Sequence, residues 1–283
     1  MRSWLFVPGD SARKIDKGLA SEADIVILDL EDSVAPGQKP AARALVAERL
    51  LGRTRPVAVR VNAFGEGLED DLAAVMPAKP DIIVLPKSEA GRDVGALAAQ
   101  LSVHEAQANA PDGATKILAI ATETAGSLFG LGTYAGASAR LIAMAWGMED
   151  LSAALHATRT RGADGAIAPP FALARNLCLA GAHSAACAPI DTVHTVLDDD
   201  AGLKAEADMA AADGFFGKLA IHPRQVATIN AAFTPSAEAV AKAKAIVDAF
   251  AAAPDAGVLS LDGEMIDRPH LTRATALLAR LSR

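Results

Sequence analysis

Short apolar segments recur along the chain, and longer alanine-rich stretches with helical periodicity separate them. Near-continuous runs of Val, Ile and Leu are typical of buried parallel strands, and the stretches between them are typical of helices that cover such a sheet. Eight strands are predicted, at residues 3–8, 24–31, 57–62, 81–87, 116–122, 141–147, 189–194 and 218–223.

The alternation of strands and helices predicts an α/β fold, and eight repeats favour a closed (β/α)8 TIM barrel over residues 1–234. The alternative is an open doubly wound sheet, which usually carries a glycine-rich dinucleotide turn after an early strand. The sequence has no such turn. Residues 235–283 differ from the repeats and are interpreted as a C-terminal arm or lid, with helices at 236–253 and from about 269.

Polar side chains cluster where the predicted strands end. The C-terminal ends of barrel strands form one mouth, where barrel enzymes build their active sites, so residues remote in sequence are expected to converge there. The polar residues concerned are Asp10, Asp29, Glu31, Asp32, Arg60, Asn62, Lys87, Glu123, Glu149, Asp150 and His222.

Composition narrows the class of protein. The formal net charge of -7 over 283 residues argues against a general nucleic-acid or membrane-surface role, since both use basic surfaces. No run approaches the length of a membrane span and no secretory signal is visible, so a cytoplasmic protein is predicted. Cys178 and Cys187 lack metal-ligand spacing and are predicted to be reduced, structural thiols.

A mouth with several carboxylates and no Cys/His ligand set suits a hard divalent cation such as Mg2+, which takes one or two carboxylates and keeps waters. Glu123 and Asp150 are candidate ligands because each follows its own strand. The alternative is that each caps a helix or pairs with a base.

Two basic residues at the mouth are candidates for contacts with substrate. Arg60 could clamp a carboxylate or stabilise an enolate oxygen, or it could form a salt bridge with Asp29 and Glu31. Lys87 could act similarly, and a Schiff-base role is also conceivable in a barrel.

The motifs together resemble the citrate lyase β-subunit-like CoA-ester lyases of the HpcH/HpaI aldolase superfamily, which includes malyl-CoA and citramalyl-CoA lyases. The resemblance covers nearly the whole chain in order. It is carried by RSWLFVPGD (2–10), DIVILDLEDSV (24–34), KPAAR (39–43), RVN (60–62), LPK (85–87), TETA (122–125), GMEDL (147–151), GFFGKLAIHPRQV (214–226) and DGEMIDRPH (262–270).

The resemblance implies a Mg2+-dependent enzyme that reversibly cleaves a 3-hydroxyacyl-CoA into acetyl-CoA and a 2-oxo acid, glyoxylate or pyruvate. Glu123 and Asp150 fall on the metal-ligand positions, and Arg60 falls on the arginine beside the metal. Asp267 resembles the acid/base aspartate that a neighbouring subunit of a homotrimer or other homo-oligomer supplies. Glu31 and Asp32 are then expected to hold waters on the ion or to orient Arg60 and Lys87.

Coenzyme A carries phosphates, which an acidic protein must meet with a local basic surface. Arg13, Lys14 and Lys17 on the first predicted helix, together with Lys39, are candidates, and a solvated helix face is the alternative. Two other activities remain open, namely a malyl-CoA thioesterase and a citrate lyase β subunit that acts on a carrier-bound citryl thioester. His156 stands where relatives often have Gly, and its loop could reshape the acyl pocket.

Overall fold

The computed structural model describes residues 1–281 and divides the chain into two compact units. The first unit is Met1–Phe233, and the second begins at Thr234 and takes in the rest of the described residues. This division lies one residue from the boundary expected from sequence. That the second unit packs on a neighbouring subunit stays a prediction.

The first unit is a closed barrel of eight parallel strands in sequence order, with β1 paired to β8. All eight predicted strands are confirmed, although most are shorter than predicted. In particular, β2 ends at Asp29, so Glu31 lies in the following loop rather than on the strand. The strands are β1 Ser3–Pro8, β2 Ile25–Asp29, β3 Val57–Arg60, β4 Ile82–Leu85, β5 Lys116–Ile120, β6 Leu141–Ala145, β7 Ala188–Asp191 and β8 Gly217–Ala220.

Eight helices accompany the strands of the first unit. Strand β5 is followed by two short 3-10 turns, Gly126–Phe129 and Leu131–Thr133, rather than by a full α-helix. The α-helices are α1 Ala12–Leu19, α2 Lys39–Leu51, α3 Leu68–Val75, α4 Gly91–Gln107, α5 Met148–Ala154, α6 Pro169–Ser184, α7 Asp200–Asp213 and α8 Val226–Ala232.

Apolar side chains fill both faces of the barrel wall. One cluster lies inside the barrel and contains Trp4, Ile27 and Leu118, and a larger one lies between the strands and the helices. Both faces are buried because helices cover the outside of a parallel sheet, which explains the continuous apolar runs in the sequence. Cys178 and Cys187 are free, buried thiols, as predicted.

The second unit has its own small core. It consists of α9 (Ala237–Ala252), the antiparallel strands β9 (Val258–Leu261) and β10 (Glu264–Asp267), and α10 (Arg268–Leu281). Asp262 and Gly263 both have positive φ, as the Asp-Gly pair of a tight hairpin requires. No helix within residues 1–281 is long and apolar enough to cross a membrane.

Candidate active site

A cavity of about 280 Å³ lies in the first unit, at the C-terminal mouth of the barrel. Its polar lining comes from residues at or just after the ends of five strands, β2, β3, β5, β6 and β7, and Phe6, Ile120, Met148 and Leu219 supply apolar walls. Part of the set predicted to converge lines this cavity. The predicted site residues that line the cavity are Asp32, Arg60, Glu123 and Asp150, joined by Asp29.

Arg60 ends β3 and is fixed by two carboxylates. Register places Arg60 beside Asp29 of β2, and their side chains form a bidentate pair with both N···O distances at 2.7 Å. The Nη1 atom lies 2.8 Å from Glu31 Oε2, and the guanidinium stacks 4.7 Å from the ring centre of Phe6. The salt bridge considered from sequence is therefore present, and Arg60 also faces the cavity.

Arg60 and Asp29 each stabilise the ionised form of the other. Burial by itself would lower the pKa of Arg60, but hydrogen bonding to Asp29 and the charges of Asp29 and Glu31 raise it overall. Burial would likewise raise the pKa of Asp29, and Arg60 holds it below its ordinary value. Arg60 and Asp29 thus remain ionised, and the guanidinium keeps a fixed orientation at the mouth.

Lys87 follows β4 in a left-handed conformation, with φ of 51°. Its ammonium lies 2.9 Å from Glu31 Oε1, and its backbone N–H donates to Glu123 Oε2 at 2.5 Å. Burial would lower the pKa of Lys87, but the hydrogen bond and charge of Glu31 raise it overall. Because a Schiff base requires a neutral amine, this environment argues against the Schiff-base alternative. Lys87 instead orients two carboxylates.

Glu123 is the buried carboxyl at the base of the cavity, with only 5% of its surface exposed. Burial, followed by the charges of Glu31 and Asp150, raises its pKa to about 8, against opposing contributions from Lys87 and Arg60. Gly147 packs against it so tightly that an added Cβ would lie 2.8 Å from Glu123 Cγ. The packing role of Gly147, which precedes α5, was not predicted from the sequence.

The two carboxylates fit a divalent ion that keeps other ligands. Asp150 lies in the first turn of α5 and lines the cavity that Glu123 faces. Burial is the largest cause of the raised Glu123 pKa, and the charges of Glu31 and Asp150 add to it, so added positive charge is favourable at this site. Within residues 1–281, no cluster of three or more His, Cys, Asp and Glu side chains could hold a metal ion. The carboxylate oxygens of Glu123 and Asp150 suit Mg2+, which takes one or two carboxylates and completes its coordination with water and substrate oxygens.

The remaining candidates lie elsewhere or farther from the centre. Asp32 is exposed at the rim, 3.9 Å from Arg60 Nη1. Lys39, at the start of α2, donates to the side chain of Asn62. Lys39 does not line the cavity, and neither do the exposed residues Arg13, Lys14 and Lys17 of α1. Their contact with coenzyme A stays a prediction.

Asp267 belongs to the second unit, as the last residue of β10 immediately before α10. Only the resemblance indicated a proton-transfer role for Asp267. Its carboxylate Oδ1 lies 2.5 Å from Nδ1 of His270. The sequence did not reveal this pairing, although the three-residue spacing at a helix start is one that permits capping.

Comparison with known proteins places the chain among carbon–carbon lyases. The profile of the HpcH/HpaI aldolase/citrate lyase family matches residues 2–223, which is most of the chain. The chain belongs to this family. A second profile, described as a carbon–carbon bond lyase of the TIM-barrel fold, matches residues 172–282. The predicted family, barrel fold and lyase class are thereby confirmed.

Individual relatives span nearly the whole chain. A citrate lyase subunit beta-like protein of Mycobacterium tuberculosis is 34% identical over 98% of this chain and 94% of its own length. Citrate lyase subunit beta of Escherichia coli is 35% identical over 99% and 92%. A (3S)-malyl-CoA thioesterase of Cereibacter sphaeroides is 33% identical over 99% and 94%.

A solved structure shows the same fold. The protein CitE from Mycobacterium tuberculosis, in complex with magnesium, acetoacetate and coenzyme A, superposes with a TM-score of 0.80 and 34% identity. The match covers 100% of this chain and 98% of CitE. Another Mycobacterium tuberculosis structure, described as citrate lyase beta subunit, was solved with oxaloacetate and magnesium, and it shows a TM-score of 0.69, 34% identity and coverage of 82% and 96%.

Proposed function

We propose that this protein is a Mg2+-dependent lyase that reversibly cleaves malyl-CoA or citramalyl-CoA into acetyl-CoA and a 2-oxo acid. The observation that carries the proposal is the pair Glu123 and Asp150 in one cavity with Arg60. This pair offers carboxylate oxygens for a hard cation, and the arginine beside it offers donors for oxyanions.

Glu123 and Asp150 would hold the ion. When bound, Mg2+ supplies Lewis-acid stabilisation to the hydroxyl and carboxylate oxygens of the substrate. Support comes from the 34% identical CitE, whose crystals contained magnesium together with acetoacetate and coenzyme A. Lys87 donates its backbone N–H to one Glu123 oxygen and thereby orients the other. Asp32 and Glu31 would hold waters around the ion or orient the basic side chains.

Arg60 would stabilise the oxygen on which negative charge develops. The guanidinium has five N–H donors, and its contacts with Asp29 and Glu31 fix its plane without requiring all of them. A donor that is fixed before reaction stabilises developing charge without reorganising, which is typically worth about 3 kcal/mol.

Asp267 would transfer the proton. Cleavage requires a base for the substrate hydroxyl and an acid for the carbon of the departing enolate, and one carboxyl can serve both in turn. We assign this role to Asp267 of a neighbouring subunit in a homo-oligomer, a homotrimer in the first instance. Arg13, Lys14, Lys17 and Lys39 would meet the phosphates of coenzyme A.

A thioesterase is the second candidate, because the (3S)-malyl-CoA thioesterase of Cereibacter sphaeroides is 33% identical over nearly the same length. In that reaction water attacks the thioester carbonyl, and the carbon–carbon bond stays intact. The third candidate is a subunit that takes its acyl group from a carrier protein, as the similarity to citrate lyase subunit beta of Escherichia coli suggests.

Product analysis separates these activities. The purified protein should be incubated with malyl-CoA, citramalyl-CoA and citryl-CoA in the presence of Mg2+, and the acids and CoA species then quantified. The lyase releases one 2-oxo acid per acetyl-CoA. Free CoA together with intact malate would instead establish the thioesterase. Absence of any CoA-ester cleavage would favour the carrier-dependent subunit.

A further inference from the structure

His270 contacts Asp267 through the same nitrogen in two ways. Nδ1 lies 2.5 Å from Asp267 Oδ1, and it also accepts from the backbone N–H of Asp267 at 3.2 Å. In return, the backbone N–H of His270 donates to Asp267 Oδ1 at 3.3 Å. The two residues therefore form a reciprocal bridge across the first turn of α10.

The bridge is a helix capping box in which a histidine occupies the third helical position. In a capping box, the side chain of the residue just before the helix accepts from the backbone N–H of the third helical residue. The side chain of that third residue, usually Glu or Gln, accepts in return from the backbone N–H of the residue before the helix. Here Asp267 and His270 occupy these two positions. Gln would serve the cap equally well, so capping alone does not require an imidazole.

The close contact between Nδ1 and Oδ1 requires a proton between them. Two lone pairs facing each other would repel, so either Nδ1–H donates to the carboxylate or the protonated carboxyl donates to Nδ1. Nδ1 carries either one proton or one lone pair, so each of these bonds to Oδ1 replaces the cap bond from the Asp267 N–H. In the first state Asp267 is an ionised base, and in the second it is an acid.

We propose that His270 is the positioning residue of Asp267, fixing its carboxyl at Oδ1 and sharing one proton with it while Oδ2 serves the substrate. The inference rests on the proposed function, in which Asp267 moves the proton. During cleavage the substrate O–H bond breaks and the Asp267 O–H bond forms, while the electron pair of the broken carbon–carbon bond becomes the enolate. Asp267 O–H then breaks as the new C–H bond forms, so no net proton is gained or lost.

His270 is the main partner of Asp267, and charged groups nearby in the second unit either act more weakly on Asp267 or have partners of their own. Hydrogen bonding to His270 is the largest cause of the lowered pKa of Asp267, and the charge of Arg273 adds to it. Glu264 of β10 is paired with Lys242 of α9 at 2.7 Å. Arg268 donates to the backbone carbonyl of Pro254 and stacks on Phe250.

The test compares His270→Gln with Asp267→Asn and with the control Lys242→Gln, which removes an ion pair in the same unit. His270→Gln keeps the cap, so its melting temperature and the KM for the CoA ester should match the unmodified protein. Its kcat should fall about tenfold or more, and the pH profile of kcat/KM should lose a limb. Lys242→Gln should change neither.

The outcomes of this test separate the role of His270 from the role of Asp267. Wild-type kcat and pH profile in His270→Gln, combined with an inactive Asp267→Asn, would overturn the role of His270 and leave the proposed function intact. Full activity of Asp267→Asn would overturn both the proton-transfer assignment and this inference. A readout independent of turnover is 15N NMR of the His270 imidazole, whose Nδ1 signal should change in Asp267→Asn. An unchanged Nδ1 signal would also contradict the shared proton.

Discussion

Binding of Mg2+ should strengthen as pH rises from 7 to 9, because the ion-free Glu123 carboxyl has a pKa of about 8. Only the carboxylate binds a cation, so the ion must displace the proton wherever the carboxyl is neutral. With this pKa, about one tenth of the carboxyl is ionised at pH 7 and about nine tenths at pH 9. The apparent Kd should therefore fall about tenfold over this interval, equivalent to about 1.4 kcal/mol.

Calorimetric titration with Mg2+ in buffers of different ionisation enthalpy measures both the Kd and the protons released. At pH 7 about 0.9 proton should leave per ion bound, and at pH 9 about 0.1. Glu123→Gln removes the titrating group and a ligand, so binding should weaken and lose this pH dependence. Glu149→Gln is the matched control, since Glu149 lines the same cavity from the exposed side of α5.

The change in Kd between pH 7 and pH 9 distinguishes displacement of a proton from Glu123 from simple attraction of Mg2+ to carboxylates that are already ionised. A carboxyl with an ordinary pKa would already be ionised at pH 7, and the affinity would then stay nearly constant to pH 9. A constant Kd, or the same pH dependence in Glu123→Gln, would refute the assignment of Glu123 as the titrating ligand.

Three further substitutions test the site and its surroundings. Arg60→Lys keeps the charge but loses the bidentate contact with Asp29, so kcat should fall about a hundredfold or more in a steady-state assay; near-normal kcat would contradict the proposed role. Gly147→Ala should displace Glu123 and raise the Kd for Mg2+ about tenfold or more with an unchanged circular dichroism spectrum, and unchanged binding would show that the contact yields. His156→Gly should stabilise the fold by about 1 kcal/mol in denaturant unfolding, because His156 has φ of 53° at the end of α5; a loss of stability would mean that the side chain makes a compensating contact.

The strands could be predicted from sequence because both faces of the barrel wall are buried, which leaves continuous runs of Val, Ile and Leu. Strand ends were harder to predict, since the chain stays apolar or acidic after β2 has left the sheet. Glu31 was for this reason placed on the strand, although it lies in the loop. Burial of a charge in VAVRVN correctly indicated that Arg60 needs a partner, and its register beside Asp29 supplies one.

Other features depend on contacts that no local pattern reveals. The left-handed conformation of Lys87 aims its N–H at Glu123, which is distant in sequence. The close packing at Gly147 likewise arises from the side chain of Glu123, which is distant in sequence. The basic residues of α1 could be identified by charge alone, but charge does not tell whether a helix face meets phosphates or water.

The most direct test of the proposed function measures 2-oxo acid release from malyl-CoA and citramalyl-CoA by the unmodified protein and by Glu123→Gln, each with Mg2+ and with EDTA. Glyoxylate or pyruvate should appear in step with acetyl-CoA only with Mg2+, and Glu123→Gln should be nearly inactive while still folded. Cleavage that continues unchanged in EDTA, or in Glu123→Gln, would contradict the proposed function.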